Sequence, residues 1–270
     1  MSNPLAQSFE DYLKLYLEKE VSGFLSENSF IDQNRNVRKE YLLNALKGLK
    51  KEWRNEVLTL VGISDAIGVA YECLGEMEFA LQYYWIGTYA WPYDSPTFPD
   101  QKENSLMYRS TLAMLQLDSA ICNDRIGNKE RARQLYEWAA ENNRLTDEEI
   151  EDHARQKQYH VIWERLIDRA YALACLEKWQ ECLEVAGEAE KWVLKDRSRK
   201  SVFGYDYTPF KLLPIVAALA RHFVKPTEES RREARRELNL RSIKARDHSL
   251  HISGLVYLFN LRDRHRELLA

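Results

Sequence analysis

Two glycines stand seven residues apart in the segment 67–84, IGVAYECLGEMEFALQYY, inside an apolar pattern of helical spacing. A glycine within a helix costs about 1 kcal/mol relative to alanine, and the chain has only 10 glycines in 270 residues. We therefore expect Gly68 to allow the close approach of a second helix and Gly75 to form the turn that ends the first helix. The segment is predicted to be a helix hairpin, with Ala80 at the crossing point and Tyr84 beside it.

The composition favours helices over strands in the rest of the chain. Hydrophobic residues make up 45% and charged residues 30%, which suits a soluble chain with an apolar core. Only 7 prolines accompany the 10 glycines, which is few for an all-β architecture with its many turns. No segment shows sustained alternation of apolar and polar residues. The sequence therefore predicts an all-α fold.

The spacing of the hairpin residues resembles the tetratricopeptide repeat (TPR), a helix–turn–helix unit of about 34 residues with the pattern L-G-x-x-Y, then A-x-x-x-F, then P. The resemblance is clearest at residues 61–94. The residues that carry it are Ile67, Gly68, Tyr71, Gly75, Ala80, Tyr84 and Pro92.

Two weaker copies of the pattern follow, at residues 113–144 and 163–194. The second copy has Asn123 where the pattern has tyrosine and Arg144 where it has proline, and the third has no turn glycine. Successive copies begin 52 and 50 residues apart, so the units have longer helices or loops than the standard repeat. The matching residues are Ala120, Gly127, Ala132, Tyr136 and Ala139 in the second copy, and Ala170, Glu177, Trp179, Cys182, Ala186 and Ala189 in the third.

The resemblance implies antiparallel helix pairs stacked in a TPR-like right-handed α-solenoid. One repeat cannot bury its own apolar face, so its neighbours and terminal caps must cover it. We expect an N-terminal helical cap over residues 1–60, repeats over 61–200, and a C-terminal helical cap with a basic helix over 201–270. The three parts form one continuous helical domain.

Start and stop signals give the helix boundaries. Thr146 and Glu149 form a predicted capping box that opens a helix continuing past Trp163 toward Leu176. Thr208-Pro209 and Pro226-Thr227 each open a later helix. The predicted helices are 9–24, 37–61, 105–126, 129–142, 180–193, 227–246 and 249–269, and three prolines make residues 92–99 a loop.

The resemblance also implies a function, because such repeats bind partner proteins on a concave face lined by the first helix of each pair. Chaperone-binding members of the family have lysines and asparagines there, but this chain has apolar residues and a few carboxylates, which suit an amphipathic helix or peptide. In the alternative interpretation, the chain's own apolar stretch 250–261 fills the groove. The predicted groove residues are Asp65, Val69, Glu72, Leu117, Ile121, Asp124, Ile167 and Tyr171.

Catalytic and metal-binding patterns are weak, so we expect no enzyme activity, cofactor, metal or small-molecule substrate. The glycine spacing in segment 67–84 lacks the Lys-Ser/Thr of a phosphate-binding P-loop. Glu149, His153, His160 and Glu164 fall at four- and seven-residue steps on one predicted helix face. We interpret them as two surface pairs of the i,i+4 type.

The predicted helix 227–246 suggests a second function. Five arginines fall within an arc of about 140° on this helix, and residues 221–270 carry twelve Lys/Arg against seven Asp/Glu. That balance of +5 leaves about −8 for the first 220 residues. The arc could bind nucleic acid or an acidic protein, but interleaved glutamates also fit a solvated face. The arginines are Arg231, Arg232, Arg235, Arg236 and Arg246.

Cytoplasm is the expected compartment. The N-terminal sequence MSNPLAQSFEDYLKLYLEKE mixes acidic and aromatic residues, unlike a secretory signal. Apolar runs such as 215–220 and 255–259 are too short to span a bilayer, so we expect no membrane partner. The four cysteines are scattered without a C-x-x-C pair, which is typical of reduced core residues.

Overall fold

The computed structural model describes residues 64–65, 67–69, 71–72, 75–90, 106–196, 209–239 and 252–269, and these residues form helices and turns without a strand. The all-α prediction is therefore confirmed for this part of the chain. The helices are α1 (Met77–Ala90), α2 (Leu106–Arg125), α3 (Lys129–Asn142), α4 (Asp147–Arg155), α5 (Tyr159–Cys175), α6 (Trp179–Lys195), α7 (Pro209–Val224), α8 (Glu228–Leu238) and α9 (Ile252–Arg264), followed by a 3₁₀ turn over Arg266–Leu268.

Several predictions fall outside the described residues. They include the helices predicted at 9–24 and 37–61, the loop at 92–99, and Arg246. Within the described part, the predicted helix 129–142 matches α3, and the predicted helices 105–126 and 180–193 match α2 and α6 to within two residues at each end.

The chain divides into two compact units. The first comprises residues 1–108 and 122–128, and the second comprises 109–121 and 129–270. Helix α2 contributes residues to both units. The domain boundaries expected near residues 60 and 200 remain predictions.

Four of the turns that join consecutive helices share one backbone geometry. Each contains a single residue with positive φ: Gly75 (89°), Gly127 (87°), Lys157 (59°) and Glu177 (59°). In each turn, the residue that follows the positive-φ residue donates its N–H to the carbonyl oxygen five residues earlier, at an N···O distance of 2.8–3.0 Å. This is the Schellman helix stop. The predicted turn glycines are thus confirmed, and Glu177 occupies the third turn without being glycine.

The helix expected to run from Thr146 toward Leu176 is interrupted, so that prediction was wrong. Its start is as predicted, because the Thr146 N–H donates to Glu149 Oε2 (2.8 Å) and the Glu149 N–H donates to Thr146 Oγ1 (3.2 Å). The helix then ends at Arg155, and α5 begins at Tyr159 after the left-handed Lys157. Glycine and proline are both absent from this turn, so the sequence gives no breaker signal there.

In the first unit, the chain around Gly68 packs directly against α1. A Cβ atom added to Gly68 would lie 2.5 Å from Cε1 and 2.7 Å from Cδ1 of Tyr84. Beside this contact, the Tyr71 ring stacks on Phe79 and Tyr83, with centroids 5.4 and 5.5 Å away. Gly68 therefore allows the close approach that its position in the sequence predicted.

In the second unit, α5 and α6 form an antiparallel hairpin. The Cys182 thiol donates to the carbonyl oxygen of Ala170 (3.3 Å) near the turn. At the far end, the Trp163 indole N–H donates to Asp196 Oδ2 (3.0 Å). Helix α7 packs on both α5 and α6 and also contacts α8 and α9. Its apolar side chains from residues 215–220 are buried, so α7 forms the centre of this unit.

We expect Gly68→Ala to lower the free energy of unfolding and Gly187→Ala to raise it, although the chemical change is the same. Gly187 lies within α6, where an added Cβ meets nothing within 4 Å. That substitution should gain about 1 kcal/mol of helix propensity. At Gly68 the buried Tyr84 ring must move, and overpacking of this kind costs about 1–3 kcal/mol. Urea unfolding followed by far-UV circular dichroism measures both; equal gains would contradict the close contact.

Lys157→Gly should raise the free energy of unfolding by about 0.5–1 kcal/mol. A left-handed conformation strains any residue that has a Cβ, and part of the relief is offset by the greater freedom of glycine in the unfolded chain. Lys157→Ala is the matched control, because alanine keeps the strain while removing the same exposed charge. If the two variants unfold alike, the left-handed conformation at residue 157 is not the source of the effect.

Candidate functional site

All eight predicted groove residues lie in the interior. Their side chains therefore form parts of the packed core of each unit and do not line an open groove. The exposed fractions are 4% for Asp65, 1% for Val69, 1% for Glu72, 0% for Leu117, 0% for Ile121, 9% for Asp124, 1% for Ile167 and 0% for Tyr171.

In the first unit, Glu72 is a buried carboxylate with partners from two other helices. The Tyr84 hydroxyl donates to Oε2 (2.9 Å), and the Arg125 guanidinium lies 3.3 Å from Oε1. Burial raises the pKa of Glu72 to about 7, although Arg125 and Tyr84 act in the opposite direction. Glu72 thus ties its own helical segment to α1 and to the end of α2, which is a structural role.

In the second unit, Tyr171 on α5 is covered by α9. Its ring stacks on Tyr257, with centroids 4.6 Å apart and an angle of 19° between the planes. The side-chain amide of Asn260 donates to the Tyr171 hydroxyl (2.8 Å) and lies 3.4 Å from the Tyr136 hydroxyl and 3.7 Å from Cys175 Sγ. Burial raises the pKa of Tyr171, so the phenol stays neutral and can accept this hydrogen bond. The C-terminal helix therefore covers Tyr171, as the alternative interpretation expected.

The next turn of α9 contacts the end of α5. Arg264 donates a guanidinium N–H to the carbonyl oxygen of Cys175 (2.7 Å), the last residue of that helix. The final carbonyls of a helix have no partner within the helix and carry partial negative charge, so a cation there is favourable. Tyr257, Asn260, Leu261 and Arg264 thus stand at positions i, i+3, i+4 and i+7 on one face of α9.

The sequence prediction missed these α9 residues. Asn260 interrupts an apolar stretch, and a polar residue on the apolar face of a helix needs a buried partner. That signal indicates that Asn260 has a partner, but its partners lie 85 or more positions earlier in the chain.

A histidine fixes the chain just after α9. His265 is 6% exposed, and its ring packs against the stacked pair of Trp179 and Phe223, whose centroids are 4.4 Å apart. The histidine ring lies 5.6 Å from Trp179, edge-on, and 5.3 Å from Phe223. Its Nδ1 lies 3.5 Å from Glu267, and its buried Nε2 has no hydrogen-bond partner among the residues that the structure describes. Burial lowers the pKa of His265; nearby Arg264 lowers it further, whereas Glu267 opposes both effects.

The basic helix α8 is largely neutralised by its own glutamates. Arg231, Arg232, Arg235 and Arg236 are exposed, but the same helix holds four glutamates. Arg236 makes two hydrogen bonds to Glu237, of 2.9 and 2.8 Å, and Arg235 donates to the carbonyl oxygen of Leu269 (3.1 Å). The helix ends at Leu238, earlier than predicted.

The four residues with metal-like spacing lie on two helices. Glu149 and His153 belong to α4, and His160 and Glu164 belong to α5. Glu149 pairs with Arg109, and His153 Nδ1 lies 2.8 Å from Gln158. Among the described residues, no three His, Cys, Asp or Glu side chains are grouped to hold a metal ion.

Two further features bear on the class of protein. The helices in the described ranges are all too short or too polar to cross a membrane. Burial raises the pKa of the Cys182 thiol to about 12, which favours the protonated form that donates to the Ala170 carbonyl.

Searches against protein-family models, curated proteins and solved structures returned no match. The resemblance to tetratricopeptide repeats therefore rests on the spacing of the residues in this sequence.

Acidification should destabilise the second unit through His265. Because the pKa is lower in the folded chain than in the unfolded chain, the unfolded chain binds more protons. The contribution of neutral His265 to the free energy of unfolding is fully present above about pH 6.5, the usual pKa of histidine. It is lost as the pH falls toward the pKa that His265 has in the folded chain. His265→Phe keeps a neutral ring against Trp179 and Phe223 and should reduce this loss. Urea unfolding at about pH 7.5 and about pH 5.5 measures this effect as the difference between wild type and His265→Phe. The comparison is needed because Glu72 and Asp168, whose pKa burial raises to about 7 and about 6, act in the opposite direction in both chains. The same change with pH in both chains would exclude His265 as a source of acid destabilisation.

Proposed function

We propose that the chain is a non-catalytic, TPR-like adaptor or regulatory scaffold that binds a helix or peptide of a partner protein. The observation that supports this most directly is the contact between α9 and Tyr171. A residue that the sequence pattern assigns to the partner-binding face is in contact with an amphipathic helix from the same chain. A surface that accepts one amphipathic helix is suited to another.

The chemistry of this contact also suits the recognition of a helix. Tyr136 and Tyr171 come from the second and third copies of the repeat-like pattern, and both present hydroxyl groups to one amide on α9. Buried polar groups that satisfy one another fix the position of a helix, which apolar contacts alone do not. Ile167, one turn earlier on α5, extends the same face with an apolar side chain.

We assign the binding site to the second unit, with Tyr171 at its centre. Leu117 and Ile121 are fully buried, so we assign them to the core of this unit. The reduced cysteines Cys122, Cys175 and Cys182 suit the cytoplasm, the compartment we propose for this adaptor.

Binding of nucleic acid or an acidic protein through α8 is the weaker candidate. The described helix balances four arginines with four glutamates, which reduces the field that phosphate binding needs. Arg236 is also held by Glu237.

An affinity-capture experiment tests the adaptor function. The full chain is used as bait, together with a variant that weakens the internal helix, Tyr257→Ala with Asn260→Ala. Loss of a buried hydrogen bond costs about 1–3 kcal/mol, so the weakened helix should raise the apparent affinity for the partner about tenfold and increase the amount captured. Asp263→Asn is the matched control, because residue 263 lies on the exposed face of α9.

A second bait tests the basic helix. Replacing Arg231, Arg232, Arg235 and Arg236 by glutamine should leave capture unchanged. If this variant loses the partner while the Tyr257/Asn260 variant behaves as wild type, the site is on α8 and the proposed groove is wrong.

A further inference from the structure

We infer that the site at Tyr171 recognises a partner helix with the pattern Tyr-x-x-Asn-Leu-x-x-Arg, and that residues 257–264 are an internal copy of that helix. The inference rests on the proposed function and specifies the partner. The four positions of the pattern in this chain, which we call the recognition face, are Tyr257, Asn260, Leu261 and Arg264.

The aromatic position selects a flat ring. Tyr257 is 3% exposed and lies nearly parallel to Tyr171 at 4.6 Å, while Tyr136 meets Tyr171 edge-on at 6.5 Å. These are the preferred geometries for aromatic pairs, which add specific stabilisation to the burial of apolar area. An aliphatic side chain at this position would bury area but would lose the stacking.

The asparagine position supplies specificity. Asn260 is 2% exposed, and its amide donates to the Tyr171 hydroxyl in a site that also contains the Tyr136 hydroxyl and the Cys175 thiol. A leucine would be buried there more easily, but it could not donate the hydrogen bond that the Asn260 amide gives to the Tyr171 hydroxyl. A single buried polar residue of this kind fixes the register of a helix against its neighbour.

The arginine position sets the direction of the partner helix. Arg264 reaches the carbonyl of Cys175 at the end of α5. Two turns earlier on α9, Tyr257 stacks on Tyr171, which lies one turn before Cys175 on α5. The recognition face therefore advances along α5 in the direction in which α5 itself runs. A helix bound in the opposite direction would bring its arginine away from the negative end of the α5 dipole.

Leucine completes the face. Leu261 is fully buried beside Asn260, whereas Asp263, outside the recognition face, is exposed. The face thus combines one ring, one amide, one aliphatic group and one cation at positions i, i+3, i+4 and i+7, which a partner helix can present in the same order.

The test uses fluorescently labelled peptides and the full chain. One peptide has the sequence of residues 250–269, and others carry Asn260→Leu, Arg264→Gln or the control change Asp263→Asn. Binding is measured by fluorescence anisotropy to the wild-type chain and to the Tyr257→Ala/Asn260→Ala chain, whose own copy is weakened. We expect the parent peptide to bind the weakened chain about tenfold more tightly than it binds the wild type, because each 1.4 kcal/mol changes affinity tenfold.

The peptide variants separate recognition from general hydrophobic association. Asn260→Leu makes the peptide more apolar, yet we expect it to bind about tenfold more weakly, because a buried hydroxyl is left unsatisfied. Asp263→Asn should bind like the parent peptide. In the weakened chain, Tyr171→Phe keeps the ring and removes the hydroxyl, so it should abolish most of the difference between the parent and Asn260→Leu peptides.

Two results would overturn the inference. One is the absence of binding to the weakened chain, confirmed as folded by circular dichroism. The other is an Asn260→Leu peptide that binds as tightly as the parent. If capture still yields a partner in either case, the adaptor function stands and only the recognition pattern is wrong. If the peptides show the expected order but no partner is captured, the adaptor function is wrong and the pattern describes an internal contact alone.

Discussion

A left-handed residue at the end of a helix is the constraint on which the hairpins of this protein depend. Gly75, Gly127, Lys157 and Glu177 each end a helix with the same pair of backbone hydrogen bonds, so the chain reverses within three residues. Reversal over so short a distance leaves consecutive helices in contact. In the second unit, the reversal at Glu177 brings α6 against α5.

The hairpins explain how a site can form where the sequence predicts an open groove. Helix α5 presents Tyr171, and α3 presents Tyr136, with both hydroxyl groups within reach of one amide. Large aromatic side chains at such positions would expose extensive apolar surface if nothing covered them. The C-terminal helix covers Tyr171, and Asn260 supplies the donor that the buried tyrosine hydroxyl accepts. The functional proposal therefore depends on whether this cover can be replaced.

Local features of the fold could be predicted from the sequence, and long-range contacts could not. Gly68 and the Thr146 capping box follow from residue spacing, because both act within one hairpin or one helical turn. The break at Lys157 could not be predicted, because a lysine gives no sign that it adopts a positive φ. The position of Asn260 also escaped prediction, since its hydrogen bond to Tyr171 spans 89 positions. A single sequence does not reveal which distant residues meet.

Native-state hydrogen exchange resolved by residue is the measurement that tests the central claim most directly. A helix that acts as a replaceable internal copy must open without unfolding the hairpin beneath it. We predict that amides of α9 exchange through an opening with a lower free energy than that of the α5 amides. If the amides of α9 and α5 share the same opening free energy, α9 is a permanent part of the core, and the account of a partner-binding site at Tyr171 is contradicted.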